Sequence, residues 1–155
     1  HHGRRTFYGH TDVGAEMAVA ICQRLRRSRG AWDRVAYLVR NHLRLVQAPK
    51  MRLSTLKRML AEDGFDELLR LARLDALASN TDLQYVLFCE RRRRELACEE
   101  LRPPRLLGGH DLIALGYPPG PRLGEILHAI EEAQLEGDIR TRADAEALLR
   151  ERFPL

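Results

Sequence analysis

The stretch LGGHDLIALGYPPGPRLGEILHAIEEAQLEGDIRTRADAEALLRERF, Leu107 to Phe153, decides the fold class. Its apolar residues recur at helical spacing, and nowhere do they alternate as a half-buried strand requires. Asp111 to Leu115 reads as a short helix and Arg122 to Leu135 as a longer one, ended by Gly137. Thr141 then caps a final helix, with Asp144 placed as the acidic partner of a capping box. Between the first two helices lies GYPPGPR, residues 116–122. Pro118, Pro119 and Pro121 fix φ and lower the entropy lost when the loop orders. Gly116 and Gly120 permit positive φ and close approach of another backbone. Pro121 falls near the first turn of the next helix, where a missing N–H is harmless. Free amides at such a start, with the helix dipole and Arg122, suit a phosphate. A rigid connector that merely packs two helices has the same composition. Tyr117 could either stack on a base or cover the loop.

The rest of the chain reads the same way, so the fold class is all-α. Val13, Met17, Ile21 and Leu25 recur every four residues and predict an inward face on a helix over Asp12–Arg29. Trp32, Val35, Val39 and Val46 mark a second helix, Ala31–Val46, which Pro49 keeps from continuing. A short helix from Ser54 to Glu62 takes Ser54 as its N-cap. Asp63-Gly64 breaks it, and Phe65, Leu68, Leu69, Ala72 and Ala76 mark a fourth. A fifth helix, over 82–102, carries Leu83, Val86, Leu87, Ala97 and Leu101, together with the run Arg91-Arg92-Arg93-Arg94. Four consecutive arginines cover more than one turn, so they point in several directions. They read as a solvated face or as a nucleic-acid patch.

Composition narrows the function classes. The 155 residues are 45% hydrophobic, enough for a packed core, and carry a net charge of +4 with a pI near 9.3. A mildly basic balance is compatible with an anionic partner. Of the 26 cations, all but Lys50 and Lys57 are arginine, the better bidentate phosphate ligand; codon usage in a GC-rich genome gives the same bias. No apolar run of about 18 residues predicts a membrane span. Cys22, Cys89 and Cys98 lack metal-ligand spacing and fit a reducing cytoplasm, with Cys22 in the core.

His42 lies seven residues after Val35, and Asp75 lies seven after Leu68. Each therefore shares its helix's apolar face. A buried carboxylate without a partner costs several kcal/mol, so Asp75 and His42 are expected to pair. The pair is either a structural hydrogen bond or part of a metal site with His10 as third ligand. His110 and His128 read as ordinary.

FYGHTDVGAEMA (7–18), VAYLVRNHLRL (35–45) and RLARLDALAS (70–79) resemble the later part of an HD-type helical domain. More particularly, they resemble that domain in bacterial tRNA nucleotidyltransferases, the CCA-adding enzymes, and their poly(A) polymerase relatives. The tail strengthens the resemblance: GYPPGPRLG (116–124) matches a GxxPGPxxG loop that precedes a helix ending in QLEG (134–137). The resemblance implies a partial HD-like lobe over 1–81, a long connecting helix over 82–102, and a small helical RNA-binding tail lobe over 103–155. It also implies an RNA partner, tRNA above all, with magnesium bound in a nucleotidyltransferase head outside this sequence and no cofactor in this chain. The head's glycine-serine motif and acidic pair do not occur here. His110-Asp111 follows Asp75 and so stands in the wrong order for the HD dipeptide.

The leading expectation is an RNA-binding part that positions tRNA for a head that adds nucleotides to RNA 3′ ends. Candidate contacts are Gly116, Tyr117, Gly120, Arg122, Gly124, Arg140 and Arg142, with Arg91 and Arg94. The alternatives are an HD-type metal-dependent phosphohydrolase fragment using His10, His42 and Asp75, or a helical protein-interaction module. Neither the oligomeric state nor the nucleotide added is legible.

Overall fold

Small residues, not large ones, decide how the first two helices meet in the computed structural model, which describes residues 9–96 and 98–155. Helix α1 (His10–Arg24) packs along α2 (Arg29–Asn41). Ala15 is fully buried in that contact. A Cβ at Gly14 would stand 3.2 Å from Val39 Cγ1, so glycine is what lets the two helices come this close. The face expected to point inward points out instead: Val13, Met17, Ile21 and Leu25 are 57%, 61%, 44% and 59% exposed. Their period correctly marks a helix but not its buried side, because the close-packed side is made of residues too small to register as a stripe.

Every element among the described residues is helical, with no strand. Ser28 caps α2, its side chain accepting from the Ala31 amide. The expected second helix stops at Asn41, and a 3₁₀ segment, Arg44–Lys50, carries the chain on with Pro49 inside it. The change of period from 3.6 to 3 residues explains why Leu45 and Ala48 are buried while Val46 is exposed. Helices α3 (Leu53–Leu60), α4 (Phe65–Ala78), α5 (Gln84–Glu95) and α6 (Cys98–Leu101) follow. The single helix expected over 82–102 is thus divided, with a bend at Leu96; Ala97 lies outside the described residues. Then come α7 (Gly109–Ala114), α8 (Pro121–Glu136) and α9 (Arg142–Arg152). Thr141 and Asp144 form the expected capping box, and Gly137 ends α8 with φ 91°.

The chain forms two units. One comprises the residues up to Lys50 with Glu62–Arg94; the other comprises Met51–Ala61 with Glu95–Leu155. In the first, Phe65, Leu68, Ala72 and Ala76 form the buried stripe of α4, and Val86 and Cys89 are buried on α5. Tyr37 donates to Glu62 at 2.6 Å, and Arg44 pairs with the same carboxylate at 2.6 Å.

In the second unit, Leu107, Leu112, Tyr117, Ile126, Ile130, Ala133, Ile139, Ala145 and Leu149 make one core. Helix α3 joins α8 through polar contacts. The N-cap of α3 is Arg52 rather than Ser54, which is buried inside the helix. The free amide of Ser54 donates to Glu136 at 2.9 Å, so a carboxylate from α8 does the capping. Lys57 is buried and donates to the Leu135 carbonyl at 2.8 Å, placing a cation on the last turn of α8.

Candidate nucleic-acid interface

The proline-glycine loop is held from beneath by its tyrosine. Tyr117 is a core residue, 5% exposed, and its hydroxyl donates to the Phe153 carbonyl at 2.7 Å. It is therefore not available for stacking on a base; a phenol this well buried needs a partner, and the end of α9 supplies it. Pro118, Pro119, Gly120, Pro121 and Arg122 stay exposed above that anchor. Gly116 and Gly120 have φ of 97° and 156°, as the sequence reading requires of a turn that reverses the chain into α8. Fewer donors face outward than expected. Pro121 has none, and the Leu123 amide bonds to the Gly120 carbonyl at 3.0 Å. The exposed Arg122 reaches Pro154, its guanidinium donating to that carbonyl at 3.3 Å. Gly124 is exposed in the first turn of α8, with no atom within 4 Å of where a Cβ would stand.

The other end of α9 is fixed by ion pairs. Arg142 pairs with Asp111 of α7 at 2.8 Å and with Glu146 at 3.0 Å. Its charge is compensated twice, so it is a positioning residue. The Gly108 amide, ahead of Arg142, holds the Asp111 carboxyl below its ordinary range. Asp111 thus serves as the cap of α7 and takes no part in an HD dipeptide. Asp144 is likewise lowered, first by the Arg140 amide and then by Thr141. The Arg140 side chain is exposed and makes no ion pair among the described residues. Arg122 lies on the first turn of α8, and Arg140 lies just ahead of α9.

Two features of this unit escaped the sequence reading. Exposed Arg105 lines a cavity of about 170 Å³ with Leu106, Gly124, Leu127 and His128 on the flank of α8. Its signal, an arginine directly after Pro103-Pro104, was present but isolated. Lys57 was also missed, although a lysine in so arginine-rich a chain was a signal in itself.

In the first unit, Arg91 stacks over Phe88 at 6.0 Å, and Arg94 donates to the Glu90 carbonyl at 3.3 Å. Both are exposed, while Arg92 and Arg93 are half-buried. The expected buried pair does not form. Asp75 is exposed: it stands at the flank of the Leu68–Ala72–Ala76 stripe, where spacing from Leu68 and Ala72 mistakes the edge for the centre. His42 instead places Nδ1 2.6 Å from the Val39 carbonyl and sets its ring edge-on to His10, with centroids 5.8 Å apart. Among the described residues no group of three His, Cys, Asp or Glu side chains could hold a metal ion. His10, His42 and Asp75 are therefore not a ligand set here. Nor is any described helix long and apolar enough to cross a membrane.

Residues 39–150 match a family model described as tRNA nucleotidyltransferase domain 2, putative. The chain belongs to the tRNA nucleotidyltransferase family. It is 35% identical to the A-adding tRNA nucleotidyltransferase of Deinococcus radiodurans over 156 residues, covering 95% of this chain and 36% of that protein. It is 37% identical to the CC-adding tRNA nucleotidyltransferase of Thermus thermophilus over 150 residues, covering 95% of this chain and 34% of that one. A shorter match, 47% over 45 residues, links it to the CC-adding enzyme of Geobacter sulfurreducens, with 28% and 10% covered. The chain spans about a third of the length of the first two relatives. No solved structure matches it. The family placement agrees with the tail motif at 116–124 and 134–137.

Proposed function

We propose that this chain is the part of a tRNA nucleotidyltransferase that holds tRNA and positions its 3′ end for a catalytic part outside this sequence. One observation carries the reading. The chain is nearly equally similar to an A-adding and to a CC-adding enzyme, at 35% and 37% identity. Those two are named for different nucleotides and for the same RNA, which supports a role toward the RNA rather than the nucleotide for the region they share with this chain. The exposed Arg122, on the first turn of α8, and Arg140, just ahead of α9, suit phosphate contacts, which position RNA without reading its sequence. Arg122 and Arg140 are the leading contacts, and Arg105 is a further one on the flank of α8. Gly116, Gly120 and Gly124 give the loop its shape and keep its surface open. Arg91 and Arg94 are secondary contacts on the other unit. Nucleotidyl transfer, and the magnesium that serves it, belong in this reading to the catalytic part.

Competition between tRNA and single-stranded RNA of equal length, read by fluorescence anisotropy, tests this. Recognition by shape predicts tighter binding of tRNA by about tenfold or more, a difference of about 1.4 kcal/mol. Equal affinity for both RNAs, or no binding of either at low salt, overturns it.

A further inference from the structure

The outward face of α1 has no function in the reading above. Val13, Met17, Ile21 and Leu25 form a continuous row at i, i+4, i+8 and i+12, each 44% to 61% exposed. The row runs about 18 Å along the helix. The opposite side of α1 is already used, with Ala15 buried and Gly14 close against Val39 of α2, so the row is not spare surface of that contact. A contiguous apolar patch of this kind marks an interaction site. It offers RNA phosphates no donor.

We propose that this row is a helix-docking face of the whole enzyme, covered by an amphipathic α-helix of the same polypeptide from outside this sequence. Two facts select that occupant. The relatives that match nearly all of this chain are about three times its length, so most of a whole enzyme of their size stands ready to cover it. The row is also an i±4n ridge, which packs into the groove of another helix at a crossing angle of about −50°. The proposed covering element is accordingly a helix with its own apolar ridge, in keeping with the all-helical elements of the described residues. The inference is independent of the RNA reading.

Methionine oxidation by hydrogen peroxide, followed residue by residue by mass spectrometry, tests it in the 155-residue chain and in the whole enzyme. Met17 is the probe on the ridge, and Met59, 0% exposed, is the internal control for folding. The expected result is free oxidation of Met17 in the chain at every protein concentration. In the whole enzyme Met17 oxidises about tenfold more slowly, with Met59 protected in both. The Ile21→Asp variant of the whole enzyme then brings the Met17 rate back toward that of the chain. Equal Met17 rates in chain and whole enzyme overturn the proposal. Protection in the chain alone that grows with concentration assigns the ridge to a second copy and overturns it as well.

Discussion

The two units solve the same problem in different ways. In the second, the apolar faces of α8 and α9 meet each other: Ile126, Ile130 and Ala133 pack with Ala145, Leu149, Leu112 and Tyr117 in one core. In the first, α1 turns glycine and alanine inward and leaves Val13, Met17 and Ile21, with Leu25 at its C-cap, outside. Helical period alone does not distinguish these cases. Amphipathicity shows that a helix has an apolar face, and only the size of the residues on the other face shows which side a neighbour can approach. The second unit thus buries its apolar faces in one core, while the first leaves an apolar row exposed.

The contrast sets the order of the expected effects. Ile126→Ala, at a fully buried site, lowers stability in denaturant unfolding by about 2 to 5 kcal/mol, whereas Ile21→Ala in the isolated chain changes it by less than about 0.5 kcal/mol. Comparable losses at the two sites would erase the distinction between the units. Next in size, Tyr117→Phe removes the bond to the Phe153 carbonyl and lowers stability in the same denaturant unfolding by about 1 kcal/mol. Thr141→Ala removes the side-chain half of the α9 cap, with a loss of about 1 kcal/mol or less that circular dichroism melting resolves.

Acid sharpens the comparison further. Asp111, Asp144 and Glu136 all have carboxyls held below their ordinary range in the folded second unit. A depressed folded pKa contributes stability above the unfolded value, and that stability is lost as pH falls through the folded one. The second unit therefore weakens progressively below about pH 4, and Asp111→Asn or Asp144→Asn makes that acid limb shallower. The smallest effect is chemical. Burial pushes the Cys89 thiol up to about 11, so at pH 8 alkylation mapped by mass spectrometry labels half-buried Cys22 and leaves Cys89 unmodified.

Much of this was legible in the residues. The capping box at Thr141 and Asp144, the stop at Gly137 and the break at Asp63-Gly64 are local rules, and the backbone obeys them. The tail motif gave the family. What failed was long-range. Nothing near Ser54 announces that Glu136, 82 residues away, caps its helix. Tyr117 left two readings open because its partner, the Phe153 carbonyl, is a backbone atom that no side-chain pattern encodes. Arg142 read as a phosphate ligand because its charge was visible and its partners, Asp111 and Glu146, were not. The His42–Asp75 pair failed because face-sharing was counted by spacing from Val35 and Val39, and from Leu68 and Ala72, without the width of the stripe.

The salt dependence of tRNA binding tests the central claim most directly. Log K plotted against log salt, for the unaltered chain and for Arg122→Ala, Arg140→Ala and Arg142→Ala, separates outward-facing cations from those already paired. Removing Arg122 or Arg140 is expected to flatten the slope by about 0.7 to 0.9 each, the loss of one phosphate contact, while Arg142→Ala leaves the slope unchanged. Slopes and affinities for Arg122→Ala and Arg140→Ala that match those of the unaltered chain would contradict the assignment of this face to tRNA.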